Sequence, residues 1–126
     1  MNNSELLRAS RDRLLKLHKT LVDFEKESYV AFNGSVTPGQ FLTQLLENPD
    51  LSWLRRFSTL IVDIDEMFAQ RDGFTDEAVE THLTAMRKLI SLQDVDAHFK
   101  ARYEIALQGD ADAAAQHGEI RQVLGV

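Results

Sequence analysis

Along the first third of the chain the apolar positions recur at helical spacing. Leu6, Leu7, Leu14, Leu17, Leu21, Phe24 and Phe32 fall within one narrow arc at 3.6 residues per turn, which predicts a long amphipathic helix over residues 4–32. Asn33-Gly34 is suited to the left-handed cap that stops such a helix. The run "SVTPGQF" then carries a start signal: Thr37 as N-cap, Pro38 in the first turn and Gln40 completing a capping box, with Val36 placed to staple against Phe41. The second helix, with Phe41, Leu42, Leu45 and Leu46, is short because Pro49 disfavours helical geometry at Asn48.

Asn48 serves next as the cap of a third helix that runs to about Arg71, its core face centred on Leu54, Phe57, Ile61, Ile64 and Phe68. Asp72-Gly73 makes a turn, Thr75 caps a fourth helix, and Val79, Leu83, Met86 and Ile90 form its stripe. After Ile90 the phase breaks. Leu92, Val95, Phe99, Tyr103 and Ala106 form a new stripe, so a fifth helix is expected to start near Asp94. Gly109 ends it, and Asp110 caps a last helix, Ala-rich at first, with Ile120, Val123 and Leu124 near an end that is free to fray or to dock on a partner. No strand-like alternation and no repeat period interrupt this pattern. The expected fold is all-α: an antiparallel helical bundle of four main helices with a short connector helix and a C-terminal helix, forming a single domain over residues 1–126.

Composition agrees with a globular chain: 126 residues, 44% hydrophobic and 27% charged, are enough for a core without staples. The absence of cysteine excludes disulfides, thiolate nucleophiles and Cys-based zinc sites. The N-terminus lacks an apolar signal region, and no stretch approaches the roughly 20 apolar residues of a membrane span, so a soluble, cytoplasmic protein is expected. The net charge of −6 repels polyanions unless basic residues segregate. On helix 1 they do not: Arg8, Asp12, Lys16, Lys19, Asp23 and Lys26 share a face with mixed signs, and no nucleic-acid partner is expected.

A few polar residues need an explanation. In the acidic cluster Asp63, Asp65 and Glu66, the helical wheel sends Asp63 and Glu66 outward with Arg55, Arg56 and Thr59. Asp65 lies only about 60° from the centre of the apolar stripe, a boundary position. His18 and Glu25 fall just inside the arc of helix 1, and His82 lies between Val79 and Met86. Asp65 and His82 are about equally far from the Gly73 turn, which puts them at one depth of an antiparallel pair. His18, Glu25, Asp65 and His82 are therefore the candidate metal ligands. Against a metal, no histidine has a glutamate three residues before it, and His18 and Glu25 are two turns apart, roughly 10 Å along the axis. A buried His–carboxylate pair explains the same residues, with Asp65 expected to partner His82 or His18, and no cofactor is expected.

Catalytic motifs are sparse. Arg11 and Arg13 each stand at the Arg-x(4–6)-His spacing from His18 that is found in HEPN-type ribonucleases, a loose pattern. Glu77 and Glu80 are half of an acidic signature that no later Glu-x-x-Asp completes. There is no Gly-rich phosphate loop and no nucleophile elbow. The reading is a non-enzymatic bundle acting through protein–protein contacts or as a homodimer, with Leu15, Val22 and Tyr29 as a second apolar strip for a partner helix.

The run "FNGSVTPGQFLTQLLENPDLSWLRRFSTLIVDIDE", residues 32–66, resembles a family of small bacterial helical proteins. Its members share a pattern of Gly-x-Val-Ser/Thr-Pro-Gly, a Leu-rich helix, Trp-Leu-Arg-x-x-Ser and Ile-Asp-Glu. The positions that match are Gly34, Val36, Thr37, Pro38, Gly39, Trp53, Leu54, Arg55, Ser58, Ile64, Asp65 and Glu66. The resemblance implies a bacterial, cytoplasmic, all-helical protein and supplies no activity. Among those positions Trp53, Arg55 and Asp65 carry chemistry beyond caps and core, and they are the candidate binding residues.

Overall fold

The fold, taken from a computed structural model of the chain, is described for residues 1–93 and 95–126. Among the described residues it is all-helical: α1 (Asn3–Asn33), α2 (Pro38–Glu47), a 3₁₀ segment (Pro49–Leu54), α3 (Arg55–Phe68), α4 (Asp76–Ile90), α5 (Ala97–Gly109) and α6 (Ala111–Leu124). None of these helices is long and apolar enough to cross a membrane.

The expected punctuation forms as hydrogen bonds. The Thr37 side chain accepts from the Gln40 N–H at 3.1 Å, and the Gln40 side chain accepts from the Thr37 N–H at 2.9 Å. That reciprocal cap is the kind of feature whose loss costs about 1 kcal/mol. Thr75 and Asp110 cap α4 and α6 with one bond each, accepting from the N–H of Ala78 and of Ala113 at 3.0 Å. Gly34 ends α1 at φ +84°, a conformation that favours glycine.

Two boundaries differ from expectation. The third helix opens as a 3₁₀ segment, in which the Asn48 side chain accepts from the Asp50 N–H at 2.9 Å and Ser52 donates to the Pro49 carbonyl at 2.7 Å. It ends at Phe68 rather than near Arg71. After α4 the chain turns through Leu92, held at φ 59° while the Gln93 N–H reaches the Lys88 carbonyl at 2.9 Å. Asp94, the expected start of the fifth helix, lies outside the described residues; α5 begins at Ala97, with Asp96 accepting from the Phe99 N–H at 2.7 Å.

Helix α1 is the spine. It meets α3 antiparallel, since Arg11 pairs with Asp65 while His18 lies beside Phe57, one end of α1 matching the opposite end of α3. Helix α4 returns along α3, with Phe68 against Phe74 near the turn and Leu60 beside Leu89 further on. One buried cluster joins Leu7, Leu14, Leu17 and Leu21 of α1 to the inward faces of the 3₁₀ segment and of α3 to α6. Burying each such side chain is worth roughly 1.5–3 kcal/mol. The last helix is docked on its own chain: Ala113, Ile120 and Leu124 are buried, and α1 is the principal neighbour of α6.

Helix α2 folds back along α1, so that Phe41 packs on Tyr29 with ring centroids 6.0 Å apart and Leu45 reaches the Val22 side. Of the second apolar strip of α1, Val22 and Tyr29 are half-buried and Leu15 is exposed. Phe32, expected in the main arc, is instead 90% exposed. The returning α2 covers the Tyr29 side of the last turns of α1 and leaves Phe32 outside.

Candidate functional site

The positions singled out in the sequence separate in space. Trp53 is only 2% exposed, and its indole packs against Phe57, Phe99 and Tyr103 with centroid distances of 5.9–6.0 Å. It is a core residue, which corrects its candidacy as a contact residue. Its Nε1–H is buried without an acceptor among the described residues. Arg55 donates to the carbonyl of Leu46 and so closes the C-terminal end of α2. Asp65 is paired with Arg11 through two parallel hydrogen bonds of 2.8 and 2.7 Å, with its side chain 46% exposed. This corrects the expected histidine partner: the boundary position faces α1, whose nearest polar group is a guanidinium.

The two histidines have other surroundings. His82 Nδ1 stands 2.7 Å from the Ala78 carbonyl one turn earlier, an acceptor that requires the proton on Nδ1. His18 lies in a small apolar cavity with Val22, Leu42, Leu45 and Leu54, and burial pushes its pKa below the ordinary value. Among the described residues no group of three or more His, Asp or Glu side chains could hold a metal ion. His18, Glu25, Asp65 and His82 are therefore not brought together. The arginines spaced from His18 are likewise turned elsewhere, Arg11 to Asp65 and Arg13 to the carbonyl of Ala9 at 3.1 Å.

What the fold does assemble lies at the far end of α1. The C-terminal half of that helix, the end of α2, the 3₁₀ segment and α5 enclose a cleft of about 550 Å³. Glu25, only 4% exposed, stands in its wall and accepts from Arg102 Nη2 at 2.5 Å through Oε2. Burial raises the Glu25 carboxyl above its ordinary value, the guanidinium of Arg102 opposes the rise, Asp50 adds to it, and His98 again opposes it. Phe24, Tyr29 and Phe32 supply aromatic lining, and Ile105 stands exposed beside it. Phe24 is seated against Gly109, where a Cβ would come within 2.8 Å of its ring.

Arg102 escaped the sequence reading, although a signal exists. It lies roughly 60° from the centre of the Phe99–Tyr103–Ala106 stripe, a boundary position like that of Asp65. A second pair was also missed: Tyr103, fully buried, is 2.6 Å from His117 Nδ1. Burial pushes the Tyr103 phenol far up and the His117 imidazole down, the latter helped by Arg121, so the neutral phenol donates to a neutral ring nitrogen. Tyr103 sits inside the aromatic cluster, with Phe57 at 5.3 Å and Phe99 at 5.7 Å, and the pair serves packing.

Compared with protein-family models, curated proteins and solved structures, the chain matches none.

Proposed function

We propose that the chain is a non-enzymatic helical protein that acts through protein contacts, in the first instance with a second copy of itself. The observation that carries this reading is a set of exposed leucines where α2 lies along α1. Leu42 and Leu46, one helical turn apart on α2, are both more than half exposed and border the cavity that holds His18. Leu15, also exposed, stands about one helical turn before His18 on α1. Exposed leucines scattered singly are ordinary, whereas two that stand one turn apart at the rim of an apolar cavity form the kind of surface that a partner helix buries. Further support comes from the polar residues singled out in the sequence, most of which have partners that explain them structurally: Arg55 caps α2, Asp65 ties α3 to α1, and His82 bonds its own helix.

The test is the mass of the protein in solution by light scattering, from about 1 to 100 µM, a range in which a weak dimer changes population. The expected result is a mass that rises with concentration in the wild type and stays monomeric in a Leu42→Ser, Leu46→Ser double variant of unchanged helical content. A wild type that is monomeric at the highest concentration overturns the reading.

A further inference from the structure

We propose that the cleft between α1, α2 and α5 is a binding site for a small organic cation, a primary ammonium carried on an aromatic or apolar body. The inference uses a different surface from the exposed leucines and does not depend on self-association.

The first observation is Glu25. A carboxylate offers about four acceptor positions. The Oε2 atom of Glu25 receives Arg102, whereas Oε1 accepts no hydrogen bond from the described residues, although the side chain is more than nine-tenths buried. Oε1 is not among the buried atoms that lack a partner, so it is open to the cleft in whose wall Glu25 stands, where it can accept from a donor that enters.

Charge decides the sign of the ligand. Glu25 and Asp50 bring two carboxylates to the lining and Arg102 one guanidinium, which leaves a net negative wall on a chain that is itself at −6. An anion would meet two carboxylates in the lining against one guanidinium that is already engaged. A cation is attracted by the uncompensated charge and can donate to Oε1.

The body of the ligand follows from the rest of the lining. Phe24, Tyr29 and Phe32 are three rings in one cleft, and ring faces attract ammonium groups as well as apolar surface. The volume of about 550 Å³ lies within the range of small-molecule sites. The fit of Phe24 against Gly109 fixes one ring where the cleft needs a wall.

The experiment titrates the full chain with 2-phenylethylamine, uncharged 2-phenylethanol and anionic phenylacetate, following backbone amide chemical shifts. The expected result is saturable shifts around Ser28, Tyr29 and Arg102 with the amine, binding of the alcohol at least about tenfold weaker, and no binding of the acid. Glu25→Gln should weaken the amine by about tenfold or more and leave the alcohol unchanged. Should that variant not fold, Asp50→Asn, an exposed position, should weaken the amine about threefold. Equal affinity for amine and alcohol in the wild type, or no saturable shifts with the amine up to on the order of 10 mM, overturns the proposal whatever the variants do.

Discussion

The guanidinium of Arg11 on α1 grips the carboxylate of Asp65 on α3 through both oxygens, at 2.8 and 2.7 Å, across 54 residues of chain. The pair ties the first long helix to the third at the protein surface, and Arg11 also reaches Asp12 at 3.3 Å. Because Asp65 is about half exposed, solvent screens the interaction, and its worth is that of a well-formed surface pair rather than of a buried one.

Asp65→Asn should therefore cost less than about 1 kcal/mol, and less again at high salt. Urea unfolding at low and high ionic strength checks this. A loss above about 2 kcal/mol that salt does not reduce would mean that the carboxylate is buried in solution.

Arg102→Gln should cost more, about 2–4 kcal/mol at neutral pH, because it leaves the buried Glu25 charge uncompensated. The sign of its pH dependence follows from the raised carboxyl. In the folded chain Glu25 holds its proton above the ordinary value of 4.5, so the stability linked to this group is full below that value and is lost as pH rises through the raised one. Without Arg102 the rise is larger, and the penalty should grow from mildly acidic to neutral pH. Urea midpoints over that range measure it, and a penalty that does not change with pH would assign the loss to packing instead.

His18 and His117 act in the opposite direction. Burial holds both below the ordinary value of 6.5, so the folded chain binds fewer protons than the unfolded one. The stability linked to them is present above 6.5 and lost as pH falls toward the lowered values. Protonation of His117 Nδ1 also removes the acceptor of the Tyr103 hydroxyl. Wild-type melting temperature should fall between about pH 7 and 5, and His117→Gln, which keeps an acceptor but does not titrate, should flatten that slope. Equal slopes in the two proteins would leave His117 without a part in it.

Much of the helix inventory was legible in the sequence, because the forces that set it are local. Thr37 and Gln40 cap each other within three residues, Asn33-Gly34 stops α1, and Val79, Leu83, Met86 and Ile90 share a face by periodicity alone. Each of these uses neighbours within about one helical turn. The wheel failed where its assumed geometry did. Trp53 belongs to a 3₁₀ segment, which turns faster than 100° per residue; Leu54 lies on the core face that the pattern predicts, whereas Leu51 and Trp53, buried beside it, are not among the residues on which that face is centred.

The tertiary structure alone decided which boundary residue meets which. A periodic pattern shows that Asp65, Glu25 and Arg102 lie at the edges of their stripes, but it says nothing about the neighbour across the edge. Glu25 finds Arg102 77 residues away, and Asp65 finds Arg11 rather than a histidine. Tyr29 is covered by Phe41 while Phe32, three residues on, is left bare, because helix packing and the return path of α2 choose the covered side. The cleft is a product of the same long-range choice: its walls come from α1, α2, the 3₁₀ segment and α5, whose relative placement is set by burial of the common core.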